Sequence, residues 1–103
     1  MKLTVTGRQI DITDAHRNAI HKKVSRLGRV LGSAALSAQA IVARERAQTI
    51  CDLTIRARGD HVLHARARGK RFHEALAAAS DRVYRQAKTL ADRWKSRRKG
   101  AAA

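Results

Sequence analysis

A chain of 103 residues suffices for one domain and leaves no room for separate catalytic and regulatory domains. Lysine and arginine number 23 against 8 acidic residues, a net charge of +15; that self-repulsion points to a polyanionic partner, nucleic acid ahead of an anionic membrane surface. The single cysteine excludes an internal disulfide, and no apolar run approaches the roughly 20 residues of a membrane span.

The amino terminus, MKLTVTGRQIDIT, has no apolar signal core, so a cytoplasmic location is expected. Lys2 to Gly7 alternates, with Leu3 and Val5 on one side and Thr4 and Thr6 on the other, which predicts a short strand. Thr13 is a good N-cap, with Asp14 in the first turn of the helix that follows. From Asp14 to about Leu31, Ile20, Val24, Leu27 and Leu31 fall on one helical face, and Gly32 suits the carboxy-terminal cap. Lys22, Arg26 and Arg29 share the opposite face, with Lys23 at its border. No acidic residue lies between Asp14 and Gly32, so no ion pair within the helix relieves the repulsion. An ordinary solvated face usually mixes charges; this one is read as a binding stripe.

Leu36 to Arg46 predicts a second strand. Thr49 to Arg58 is a clearer third, alternating Cys51, Leu53, Ile55 and Ala57 with Asp52, Thr54, Arg56 and Arg58. Gly59-Asp60 marks a turn, and a fourth strand sends Leu63, Ala65 and Ala67 inward and His64, Arg66 and Arg68 outward. One sheet face is thus apolar and the other basic, as for a sheet covered on one side only. From about Arg71 to Arg98 a longer helix is predicted, with Phe72, Leu76, Ala79, Val83, Ala87, Leu90 and Trp94 as its apolar stripe. Arg82, Arg85 and Arg93 occupy another side, flanked by Lys88 and Lys95. The charge is uneven: residues 1–52 carry nine basic and four acidic side chains, and residues 53–103 carry fourteen and four.

Catalysis finds no support. The five histidines and Cys51 show no zinc-site spacing, the carboxylates are scattered singly, and no glycine-rich phosphate loop is present. Cys51, on an inward strand position, reads as a buried, inert thiol. Phe72 and Trp94 read as core, while Tyr84 lies off the apolar stripe and is free to stack or hydrogen-bond. No enzyme activity, metal, cofactor or small-molecule substrate is expected.

Four segments together resemble the ribosome hibernation promoting factors and ribosome-associated translation inhibitors. The family's I/V-T-G-x-x-x-x-I-T opening is similar to Val5-Thr6-Gly7 and Ile12-Thr13. Its first-helix pattern resembles His16-Arg17, Lys23 and Arg26-Leu27, and its I-H-A-x-A-x-G strand resembles Leu63 to Gly69. Its D-K-L-x-R-Q helix resembles Asp81-Arg82-Val83-Tyr84-Arg85-Gln86. Departures occur at Ala77, where the family favours Asp, and at Thr89 and Ala91, where it favours lysines.

The resemblance implies an α+β domain of order β-α-β-β-β-α, a four-stranded sheet with two helices on one face, like the double-stranded-RNA-binding domain. It further implies a site in the decoding region of the small ribosomal subunit, contacted through Lys23, Arg26, Arg82 and Arg85. The charge stripes add Lys22, Arg29, Lys88 and Arg93 as RNA-binding residues. Arg26 and Arg82 are expected to border one shared basic groove. The chain is expected to act as a monomeric translation inhibitor on the small subunit and its rRNA. The alternative is a general binder of structured RNA or DNA, or else a protein-interaction regulator. Residues 1–98 are expected to form the domain and 99–103 a disordered tail. The family's longer members carry a further domain that pairs ribosomes, so self-driven pairing is not expected here.

Overall fold

The computed structural model describes the backbone of residues 1–102 and the side chains of residues 1–96; the tail expected at 99–103 lies outside the residues described in full. The elements in order are β1 (Lys2–Arg8), α1 (Asp14–Leu31), a 3-10 turn (Gly32–Ala34), β2 (Ala35–Glu45), β3 (Gln48–Ala57), β4 (His61–Gly69) and α2 (Phe72–Ala102). The sheet runs β1-β2-β3-β4. β1 pairs parallel to β2, from Lys2 opposite Ser37 to Arg8 opposite Ala43, so α1 is the crossover between them. The other two pairings are antiparallel. This is the predicted α+β order.

Local chemistry explains the boundaries. Thr13 caps α1: its hydroxyl accepts from the His16 N–H at 3.1 Å, and the Thr13 N–H donates to His16 Nδ1 at 3.2 Å. Histidine thus takes the reciprocal role usually filled by Glu or Gln. Gly32, at φ 60°, ends the helix. The β3–β4 connection has Gly59 and Asp60 at φ 82° and 61°, the turn read from sequence. The β2–β3 hairpin turns tightly between Glu45 and Gln48, with Arg46 at φ 56°, a conformation a side chain resists. At Gly7 an added Cβ would lie 2.6 Å from the Ile10 carbonyl oxygen, so glycine there permits the chain to fold back against β1.

Alternation places Ala38, Ala40 and Val42 of β2, Cys51, Leu53 and Ile55 of β3, and Leu63, Ala65 and Ala67 of β4 on the helix side, all buried. α1 adds Ile20, Val24, Leu27 and Leu31, and α2 adds Phe72, Leu76, Ala79, Val83, Ala87 and Leu90 to the same cluster. Trp94 departs from the sequence reading. It only half-enters the core and sets its ring against His61, with centroids 5.9 Å apart. α2 packs over β3 and β4, while α1 lies towards β1 and β2 and against α2. Both helices therefore cover one face and leave the other open.

Candidate nucleic-acid interface

The four core residues of α1 recur every three to four positions, so the helix must turn its intervening residues away from the sheet. Lys22, Arg26 and Arg29 are exposed and Lys23 half-buried. With His21 and Ser25 they line one shallow, open groove. His21 and Ser25 were not chosen as binding residues from the sequence; the four-residue steps from His21 to Ser25 and from Ser25 to Arg29 put all three in one row of the helix, and that is the signal that finds them.

α2 presents two different sides. Tyr84 turns towards α1, where the Arg26 Cζ stands 4.6 Å from its ring centroid. Lys88, one turn beyond Tyr84, shares that side. Arg82 and Gln86 instead face the outer edge of β4. Arg82 donates to the Arg66 carbonyl oxygen at 2.7 Å, and Gln86 bonds both backbone groups of His64. Arg82 and Tyr84 lie two positions apart, about 200° around a helix, so Arg82 does not share a groove with Arg26. The single composite groove expected around Arg26 and Arg82 is corrected: an edge-strand carbonyl has claimed Arg82. Arg85 and Arg93 line a second shallow groove with His61, Leu63, Gln86, Thr89 and Leu90.

The open sheet face is less uniformly basic than its alternation predicted. Asp52 meets the His64 ring there, and Glu45 meets Arg68 at 3.4 Å. These two are the ion pairs found among the described residues. No basic side chain of α1 or α2 is therefore paired with a carboxylate within the described chain. α2 does carry Asp81 and Asp92 on its exposed surface, so α1 holds the densest uninterrupted positive charge. Exposed cations on a rigid helix, with no internal partner to displace, suit phosphate contact.

Among the described residues no group of three or more His, Cys, Asp or Glu side chains converges to hold a metal, and no helix is long and apolar enough to cross a membrane. Burial, reinforced by the neighbouring Asp52 carboxylate, pushes the Cys51 thiol up to about 12, so the thiolate is suppressed at neutral pH.

Residues 3–95 match the family model described as Sigma 54 modulation protein / S30EA ribosomal protein. A ribosome hibernation promoting factor of Acidithiobacillus ferridurans is 35% identical over 68 residues, covering 63% of this chain and 85% of that protein. The solved amino-terminal domain of Protein Y from Thermus thermophilus has the same fold, with a TM-score of 0.80 at 24% identity over 87% of this chain and 99% of that one. A ribosomal subunit interface protein from Coxiella burnetii aligns with a TM-score of 0.70 at 19% identity, covering 93% of this chain and 99% of that one.

Proposed function

The chain belongs to the Sigma 54 modulation protein / S30EA ribosomal protein family, the family of the ribosome hibernation promoting factors, and from that premise we propose that it binds the small ribosomal subunit and holds it idle. Docking is through the helix-covered side. α1 anchors the contact with Lys22, Lys23, Arg26 and Arg29, and α2 extends it with Arg85, Lys88 and Arg93. Arg82 contributes charge from the β4 edge while keeping its bond to Arg66. These cations neutralise rRNA phosphates, and the body of the domain fills space in the decoding region that tRNA and mRNA need. Occlusion requires no chemistry, only shape and charge.

The observation that carries this reading is the α1 stripe: four cations within residues 22–29, no acidic residue in the helix after Asp14, and no ion pair to any of them among the described residues. A rigid array of this kind reads the phosphate spacing of structured RNA rather than base sequence. The scarcity of exposed aromatics disfavours a stacking reader of single strands. The protein acts as a monomer in the cytoplasm, its charge of +15 opposing self-association.

Sedimentation tests it. The purified chain mixed with separated subunits should co-migrate with small subunits and be displaced by moderate salt. Equal affinity for small subunits and for unrelated duplex RNA would support a general structured-RNA binder instead.

A further inference from the structure

The contact between Arg26 and Tyr84 joins the two helices at the middle of the proposed docking face. Tyr84 is the chain's single tyrosine, half-buried against the core, and its hydroxyl makes no hydrogen bond among the described residues. Its ring lies under the Arg26 guanidinium at 4.6 Å, so the face that could stack a nucleobase is occupied from within. Arg26 is exposed and meets no carboxylate among the described residues.

We propose that Tyr84 is the positioning residue for Arg26, holding its guanidinium at the seam of α1 and α2 so that its N–H edge is presented to a backbone phosphate of bound RNA. The proposal rests on the ribosome-binding reading and adds a specific device to it. All five guanidinium N–H donors lie in its plane, so stacking one face on an aromatic ring leaves the donors free. An unrestrained arginine loses rotamer freedom when it grips a phosphate, whereas one already held on a ring has lost part of that freedom before binding. Tyr84 thus raises affinity without touching the RNA. Lys22, Lys23 and Arg29 line the groove beside Arg26 but sit over no aromatic ring among the described residues; Arg26 is the oriented contact among less restrained ones.

The experiment compares the intact protein with Tyr84→Phe, Tyr84→Leu, Arg26→Ala and the Arg26→Ala/Tyr84→Leu double variant, binding to purified small subunits across a salt series. Tyr84→Phe keeps the ring and should bind within about twofold of wild type. Tyr84→Leu keeps the charge but loses the platform: affinity should fall about three- to tenfold with the salt slope unchanged. Arg26→Ala should lower both affinity and slope, the latter by about 0.7–0.9. The double variant should bind no more weakly than Arg26→Ala alone, because the ring acts only through the guanidinium. Unchanged binding by Tyr84→Leu, a further loss in the double variant, or an equal loss in Tyr84→Phe each overturns the proposal. A second readout needs no ribosome: the Arg26 Nε–Hε resonance should be ring-shifted in wild type and Tyr84→Phe, and not in Tyr84→Leu. If the wild type fails to bind small subunits, it is the functional reading that falls. The positioning role is then decided by that resonance, and an unshifted Arg26 overturns it.

Discussion

Gln86 holds His64 by both backbone groups: its Oε1 accepts from the His64 N–H at 3.1 Å, and its Nε2 donates to the His64 carbonyl at 2.8 Å. A side chain on α2 thereby imitates the residue of a neighbouring strand. Two positions along, Arg82 closes the Arg66 carbonyl. β4 is an edge strand, and edges with unpaired backbone groups invite pairing between molecules. Gln86→Ala should destabilise the domain by about 1 kcal/mol and raise its tendency to self-associate. Urea unfolding and light scattering check the two effects. A variant as stable and as monomeric as wild type would show that the edge needs no cover.

Arg82→Ala should differ in kind from Arg26→Ala. Loss of Arg82 removes a backbone partner as well as a charge, so stability should fall by about 0.5–1.5 kcal/mol together with binding. Arg26→Ala loses only its contact with the Tyr84 ring and leaves no backbone group unpartnered, so it should lower stability by no more than about 0.5–1 kcal/mol. Denaturant unfolding beside subunit binding separates them.

If the four α1 cations each meet a phosphate, replacing Lys22, Lys23, Arg26 and Arg29 together by Ala should reduce the salt slope of small-subunit binding by about 3. Replacing Arg56 and Arg66 on the open sheet face should change it little. The reverse ranking would place the docking face on the sheet.

Thr13→Ala should cost about 1 kcal/mol by uncapping α1. Gly7→Ala should cost about 1–3 kcal/mol, because the new methyl meets the Ile10 carbonyl and the Ile12 side chain. Equilibrium unfolding measures both, and a neutral Gly7→Ala would mean that the β1–α1 connection yields freely.

Cys51 titrates in the alkaline range. The folded thiol is held up at about 12 while the unfolded one ionises from its ordinary 9.0, so folding stability is intact below pH 9 and falls as pH rises towards 12. Cys51→Ala should remove that share of the alkaline loss, read as a shallower decline in unfolding midpoint above pH 9. In the wild type, iodoacetamide at neutral pH should label Cys51 only as fast as the domain opens.

Much of this fold was legible because residue type and period agreed. Ile20, Val24, Leu27 and Leu31 could make only one helical face, and Cys51, Leu53 and Ile55 only one strand face. Thr13 and Gly32 marked the ends of α1. The tight turn at Arg46 was not legible, since neither residue between Glu45 and Gln48 is the Gly or Asn that normally announces a positive φ. The stripe on α1 could be read from the chain because every contributor lies on one helix. The split of α2 into an α1-facing side and an edge-covering side could not. Arg82, Tyr84 and Gln86 are equally polar on a helical wheel, and only the position of β4 decides which of them has a backbone to hold. The pairings of Asp52 with His64 and Glu45 with Arg68 likewise depend on strand register, which alternation alone leaves open.

The order of elements along the chain also governs when the molecule becomes itself. α2 follows every other element described, and it supplies Phe72, Leu76, Val83 and Leu90, the cover for β3 and β4. A fragment ending before Phe72 should show no cooperative unfolding transition. During synthesis, α1 emerges early but has neither a closed core beneath it nor Tyr84 beside Arg26. The folded binding face is therefore assembled only as α2 appears. On the function proposed above, the ribosome making this protein has translated all of β1 to β4 and must go on through α2 before the product can bind as a folded domain.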